Sequence, residues 1–284
     1  MPELPEVETI VRDLNKKLKN KKIAAVKSLD KKIFHLTESD VKNILGKKIK
    51  EVKRRAKMII FDLADYFLIM HLKMTGQLVY QTKNSLIAGG HPIVNQSGKL
   101  PNKFSRVIFG FNDKSALYFN DVRRFGWIRL MAGAEFIKFS GQLGVEPLSP
   151  DFTLKYFKQV LSRKPKTTIK QALLDQKYIS GIGNIYADEL LFIARIKPFR
   201  KIKTLTGQEI KKLWRAIPKI LKHAIKHRGT SFNDYVDAQG EAGNFVKYLK
   251  VYGRAEEKCK NCNEPVKKMK LGGRGTHWCD RCQK

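Results

Sequence analysis

No cysteine precedes Cys259 in this 284-residue chain; all four lie close to its end. That placement excludes a disulfide framework spread through the molecule and favours a local metal site. Acidic residues are also scarce. Only 26 Asp and Glu stand against 57 Lys and Arg, a formal net charge of +31. The basic residues are spread along the whole chain, so a polyanionic partner is expected, nucleic acid first and an anionic membrane surface second. Long hydrophobic runs are missing too. The most apolar stretch, Met58 to Leu72, is interrupted by Asp62 and Asp65 and is too short to span a bilayer. Glu3, Glu6 and Glu8 exclude a secretory leader at the start. Neither an internal repeat nor a low-complexity tract occurs. A soluble, cytoplasmic protein is therefore expected, with nucleic acid and no membrane as its partner.

The length suffices for two domains with at least one sizeable core. Residues 5–18 read as a helix: Val7, Ile10, Val11, Leu14 and Leu18 fall on one face, and Pro5 and Glu6 suit its start. From 22 to 131 short β-rich runs recur, at Lys22–Val26, Ile49–Arg55, Met58–Leu63, Phe67–Leu72, Gln77–Gln81, Arg106–Phe111, Ala116–Asn120 and Gly126–Met131. They predict a β-sandwich or flattened barrel closed by the first helix. Residues 83–103, with Gly89-Gly90, Pro92, Gly98 and Pro101, read as a long loop. Helical periodicity then predicts helices near 151–162, 167–177, 184–194 and 207–227, and Phe245–Tyr252 reads as a strand. The fold class is therefore α+β.

The tail carries the most specific local pattern. Cys259-Lys260-Asn261-Cys262 and Cys279-Asp280-Arg281-Cys282 are two CxxC knuckles at zinc-ribbon spacing. Four thiolates so placed bind one structural Zn²⁺ tetrahedrally and leave no open position for catalysis. Between them, Gly272-Gly273-Arg274-Gly275 reads as a hairpin tip projecting Arg274.

Upstream, Gly181-Ile182-Gly183-Asn184 suggests a dinucleotide loop, but Tyr186 stands where a third glycine or alanine is due and a helix precedes it. A helix, a tight turn and a helix starting near Asn184 fit better, with backbone N–H groups available to a phosphate. Arg54-Arg55-Ala56-Lys57 places a lysine at a strand boundary, either as a solvated basic face or as a rigid cation or proton donor. His71, before Lys73-Met74-Thr75-Gly76, ends another strand, where a histidine is more often structural. Asp121-Val122-Arg123-Arg124-Phe125-Gly126 pairs cations with an aromatic that can wedge between bases.

The start of the chain, Met1-Pro2-Glu3, draws these together. Removal of Met1 would leave Pro2 as a secondary amine, and a terminal amine titrates near pH ~7.7–8.0, so part of it is neutral and nucleophilic. Its attack on a sugar C1′ gives an iminium ion that has no N–H proton to lose. The ion therefore stays an electron sink for elimination, with Glu3 in reach to move protons. Many proteins begin Met-Pro, so the dipeptide alone decides nothing.

The run Met1-Pro2-Glu3-Leu4-Pro5-Glu6-Val7-Glu8-Thr9 resembles the start of bacterial formamidopyrimidine-DNA glycosylases. So do Arg54–Lys57, His71–Gly76, Arg123–Gly126, Gly181–Glu189, Val251–Arg254 and the terminal knuckles, in the same order and over essentially the whole chain. The resemblance implies a bifunctional repair enzyme that excises oxidised purines, 8-oxoguanine and formamidopyrimidines, from duplex DNA and then cleaves the strand by β,δ-elimination. It implies Pro2 as nucleophile, Glu3 as acid/base, Lys57 for β-elimination and phosphate contact, and Arg274 for δ-elimination. Met74, Arg123 and Phe125 would fill the gap left by an everted nucleotide. Asn184 would grip phosphate in a helix-two-turn-helix, and His71, Arg106, Lys164 and Lys166 would add DNA contacts. The segment 230–245 matches a loop covering the everted base.

The resemblance also implies domains at 1–133 (catalytic β-sandwich), 151–252 (helix-two-turn-helix) and 253–284 (zinc-ribbon finger), with a linker at 134–150. The partner would be double-stranded DNA carrying oxidised purines or abasic sites, and the enzyme a monomer near the bacterial nucleoid. Where the family has histidines before the strand near 106, this chain has Lys103-Phe104-Ser105-Arg106, so Arg106 or Lys103 would supply the cation there. Two alternatives remain open: an endonuclease VIII-like enzyme for oxidised pyrimidines, and a non-catalytic zinc-ribbon DNA-binding protein.

Overall fold

The computed structural model describes residues 1–90, 100–230 and 243–284. Contacts divide it into two units, Met1–Gly141 with His227–Val246, and Gln142–Lys226 with Lys247–Lys284.

The first unit opens with helix α1 (Leu4–Leu18), whose Val7, Ile10, Val11, Leu14 and Leu18 are all buried. The Glu6 carboxylate accepts the Glu3 N–H at 2.8 Å, and Lys16 and Lys17 sit at the negative end of the helix dipole. Ten strands follow in two five-stranded sheets: β1 (Ile23–Ser28), β2 (Phe34–His35), β3 (Glu51–Arg55), β4 (Met58–Asp62), β5 (Tyr66–His71), β6 (Gly76–Gln81), β7 (Leu86–Gly90), β8 (Ser105–Phe111), β9 (Ala116–Asp121) and β10 (Trp127–Ala132). The orders are β1-β8-β9-β6-β7 and β2-β10-β5-β4-β3. Leu78, Val107, Phe109 and Phe119 of one sheet meet Ile59, Phe61, Leu68, Met70 and Ile128 of the other in a single core. The apolar face of α1 belongs to the same core. This is the helix-closed sandwich expected from the alternating runs.

Three local expectations are corrected. The loop predicted over 83–103 contains β7, which pairs antiparallel with β6. Its Gly89-Gly90 looked like a break, yet Gly90 (φ +120°) lies so close to β6 that a Cβ would meet the Gly76 oxygen at 2.5 Å. Residues 91–99 of that loop lie outside the described residues. The region read as all strand also holds a helix, α2 (Glu38–Ile44), closed by a reciprocal cap between Thr37 and Asp40. The strand predicted at Phe245–Tyr252 is instead a short 3₁₀ helix at Phe245–Tyr248, followed by turns. After β10 the chain continues as helix α3 (Gly133–Gly141), where Phe136 stacks on Phe67 of β5 at 4.4 Å between ring centroids.

The second unit holds α4 (Leu154–Ser162), α5 (Ile169–Leu174), α6 (Asn184–Ala194), α7 (Gly207–Lys226) and a hairpin of β11 (Val266–Leu271) and β12 (Arg274–Cys279). Thr153 and Thr168 cap α4 and α5 through their side-chain oxygens. The apolar face of α7, with Leu213, Ile217 and Leu221, is buried and packs on α6.

Candidate active site and nucleic-acid interface

Pro2 and Glu3 are both buried at the start of α1. Glu6 holds the backbone there twice, accepting the Glu3 N–H with one oxygen and the Thr230 N–H with the other, each at 2.8 Å. An ordinary chain end frays; this one is tied down. Lys57 is buried in the two-residue turn between β3 and β4, where Ala56 adopts φ +53°. Arg54 fixes that hairpin to α1, donating to Glu8 at 2.9 Å and to the Ala56 carbonyl at 2.9 Å. The helix start and the lysine turn are thus parts of one braced assembly.

His71 stands at the end of β5, its Nδ1 accepting the Lys73 N–H at 2.9 Å. The acceptor role of Nδ1 leaves the ring proton on Nε2. Burial, with Lys73 and then Lys57 beside it, lowers the His71 pKa to about 3. The imidazole is therefore neutral at physiological pH and available as a hydrogen-bond donor. The unfolded chain takes up a proton near pH ~6.5 that the folded chain refuses. Stability is thus expected to be full above that pH and to fall as the pH drops toward 3. His71→Gln should flatten the decline in melting temperature between pH 7 and 5, measured in parallel thermal melts. An identical decline in the variant would refute the assignment.

Met74, Arg123 and Phe125 meet on the surface of the first unit. Met74 and Phe125 are exposed, the Arg123 Nη1 lies 3.4 Å from the Met74 sulfur, and its guanidinium carbon lies 4.7 Å from the centre of the Phe125 ring. The next residue, Arg124, turns back with φ +57° to fork onto Asp30, and this ion pair holds the Asp30 carboxyl below its ordinary range. Arg106 donates to the Asp121 and Lys103 carbonyls and lies 3.8 Å from Asp30, so it braces the same loop.

In the second unit, α5 and α6 are joined by a turn that the Gln176 side chain stitches. It accepts the Gly181 N–H at 2.8 Å and donates to the Ile182 carbonyl at 2.8 Å. Asn184 opens α6, and its Nδ2 donates to the Gly275 carbonyl at 2.9 Å. Its Oδ1 is buried without a partner among the described residues. Lys164 and Lys166 are exposed just before α5. Arg274 is exposed beside the turn made by Gly272 (φ +55°) and Gly273 (φ +78°), a backbone that glycine alone adopts easily.

The hairpin is seated by buried charges that the linear pattern did not single out. Lys170 pairs with Asp188 at 2.6 Å and donates to the Gly275 carbonyl and the Thr276 hydroxyl. Asp188 also accepts the His277 N–H at 2.9 Å. Glu189 accepts the N–H groups of Lys250, Val251 and Tyr252, each at 2.9 Å; burial raises its pKa against those bonds. The one available signal was two adjacent acids inside the otherwise apolar α6.

The four cysteine sulfurs all lie within 4.8 Å of one another. Cys259 and Cys282 are 3.9 Å apart, and Cys262 and Cys279 are 3.4 Å apart. Tetrahedral zinc with Zn–S bonds of about 2.3 Å sets its sulfurs about 3.8 Å apart, so the donor set fits that ion. Desolvation raises the Cys279 and Cys282 thiols, so a bound cation would be needed to hold them as thiolates.

Three family models cover most of the chain: the formamidopyrimidine-DNA glycosylase N-terminal domain over residues 1–128, the H2TH domain of the same enzymes over 143–235, and the zinc finger found in FPG and IleRS over 256–284. The chain belongs to the formamidopyrimidine-DNA glycosylase family. A glycosylase of that name from Pelotomaculum thermopropionicum is 42% identical, with 100% of this chain and 99% of the relative covered. Among solved structures, a point variant of Lactococcus lactis FPG in complex with Fapy-dG-containing DNA matches with a TM-score of 0.88 at 34% identity, with both chains fully covered at 100%. The wild-type Lactococcus lactis FPG, in complex with DNA containing an oxidised pyrimidine, matches with a TM-score of 0.86 at 34% identity over 100% of both chains. As a member of the formamidopyrimidine-DNA glycosylase family, the chain is a DNA-repair enzyme, and its four cysteines form one structural zinc site. No helix among the described residues is long and apolar enough to cross a membrane. The segment 230–245, expected to cover the everted base, lies outside the described residues over 231–242.

Proposed function

We propose that this glycosylase excises 8-oxoguanine and formamidopyrimidines from duplex DNA through an iminium on Pro2, and then cleaves the strand as a lyase. The Pro2 nitrogen, freed of Met1, forms a bond to C1′ as the base departs with a proton. Ring opening at O4′ gives the iminium. Loss of a C2′ proton then expels the 3′ phosphate, and a second elimination expels the 5′ phosphate. Glu3 moves protons at the sugar, Lys57 serves the first elimination and Arg274 the second. Met74, Arg123 and Phe125 fill the vacated stack. His71, Arg106, Lys164, Lys166 and Asn184 hold phosphates, with affinity that falls as salt rises. The enzyme acts as a monomer in the cytoplasm, at the nucleoid.

The observation that carries this reading is the pinned, buried start of α1 beside the braced Lys57 turn. A protein that only bound DNA would have no use for an immobilised amine. The Lactococcus lactis complex with an oxidised pyrimidine keeps pyrimidine lesions as a second substrate class. Single-turnover excision from matched duplexes separates the two. We expect 8-oxoguanine opposite cytosine to react at least about tenfold faster than thymine glycol or 5-hydroxycytosine, in line with site discrimination by polar contacts. The reverse order would move the enzyme to the pyrimidine class.

A further inference from the structure

The side chains assigned to fill the DNA gap come from two separate loops, yet both loops end on one carboxylate. Asp121 closes β9 and is fully buried. Its Oδ1 accepts the Thr75 hydroxyl at 2.5 Å and the Arg123 N–H at 3.1 Å. Its Oδ2 accepts the N–H groups of Phe125 at 2.9 Å and Gly126 at 2.7 Å. Thr75 in turn accepts the Arg123 N–H at 3.0 Å. These donors satisfy a charge that would otherwise be costly to bury. They also lie immediately beside the exposed triad: Thr75 follows Met74, and Arg123 and Phe125 donate from their own backbone.

Both loops are closely packed where they leave the sheet. A Cβ on Gly76 would meet the Leu72 oxygen at 2.4 Å, and one on Gly126 would meet the Phe119 ring at 2.6 Å and Asp121 Oδ2 at 3.1 Å. Outside, Arg123 already touches Met74 and stacks on Phe125. A cluster arranged before contact needs no loop ordering when it enters a duplex, so binding is not taxed by that entropy. We propose that Asp121 is a positioning residue that presets Met74, Arg123 and Phe125 for insertion into the duplex. The inference rests on the glycosylase reading above.

The role predicts selectivity between substrates. A duplex lesion must be everted and its place filled. An abasic site in a single strand leaves no gap in a base-pair stack. In Asp121→Asn, one carboxylate oxygen becomes an NH₂ group, and whichever way the amide lies, one pair of donors loses its acceptor. Thr75→Val keeps the side-chain shape and removes only the hydroxyl.

The experiment compares single-turnover excision of 8-oxoguanine in a duplex with cleavage of a single-stranded abasic oligonucleotide. A 2-aminopurine beside the lesion reports insertion, and thermal melts report folding. The duplex-to-single-strand rate ratio is expected to fall at least about tenfold in Asp121→Asn and about threefold in Thr75→Val, with the 2-aminopurine signal slowed in parallel. An unchanged ratio, or equal losses on both substrates, would overturn the proposal. If Asp121→Asn fails to fold, the Thr75→Val ratio alone decides: a threefold fall supports the role and an unchanged ratio rejects it. Failure of the glycosylase reading looks different, because the unmodified enzyme would then not excise 8-oxoguanine at all.

Discussion

A chain that keeps Met1 is expected to lose strand cleavage by at least about a thousandfold while still binding lesion-containing duplex. With Met1 in place the Pro2 nitrogen is a peptide nitrogen; its lone pair is delocalised into the carbonyl and cannot attack C1′. Pro2→Gly tests the same chemistry differently. It supplies a primary amine, whose adduct can shed an N–H proton and relax to a neutral imine, a poorer electron sink. The glycine also frees a segment that Glu6 otherwise holds through the Glu3 N–H. A loss of at least about a hundredfold is expected for this variant. Gel-resolved cleavage of an abasic duplex, with binding followed by fluorescence anisotropy, measures both. Unchanged cleavage by a Met1-retaining form would remove Pro2 from the mechanism.

The second large effect is expected on removing zinc. The finger has little core of its own: Cys259, Cys279 and Val266 cluster with Phe192 and Val251, and most of β11 faces solvent. A lone two-stranded hairpin is marginal in water. A structural zinc site contributes on the order of 10 kcal/mol or more to its fold. Cys279→Ser, or stripping with a strong chelator, should therefore unseat the turn that carries Arg274. Duplex cleavage is expected to fall at least about a hundredfold and DNA affinity at least about tenfold. The sandwich, whose core shares none of these residues, should keep its circular-dichroism spectrum. Full activity in protein shown by metal analysis to be zinc-free would place the finger outside the function.

These two effects concern parts that were legible in the linear sequence, for a shared reason. The CxxC knuckles, the Gly272-Gly273 turn and the apolar face of α1 are local patterns whose meaning depends on spacing alone. What escaped depends on partners distant in the chain. Asp121 acquires its role only when Thr75 is brought beside it, and Lys170 is buried only because Asp188 and Thr276 receive its charge. A lysine and an aspartate in an apolar context do not announce one another. The strand β7 was hidden for a related reason, since its glycines serve a close approach to β6. The 3₁₀ turn at Phe245–Tyr248 reads as a strand because aromatic and β-branched residues gather there, yet Phe245 is the one that enters the core, and Tyr248 stays exposed.

Arg106 shows how a candidate can be named with its geometry unseen. The sequence marks it, with Lys103, as one of two cations available where the family has histidines. In the fold its guanidinium donates to the Asp121 and Lys103 carbonyls, and so braces the loop that carries Arg123 and Phe125.

The central claim is that the Pro2 nitrogen forms an iminium with the sugar of a damaged nucleotide. Borohydride trapping on a duplex with one 8-oxoguanine opposite cytosine tests it most directly, because hydride reduces an iminium to a permanent C–N bond. The account predicts a covalent protein–DNA adduct whose peptide map places the link on Pro2, formed only by protein that has lost Met1. Tight binding with no trapped adduct by such protein, or an adduct that maps to Lys57, would contradict it.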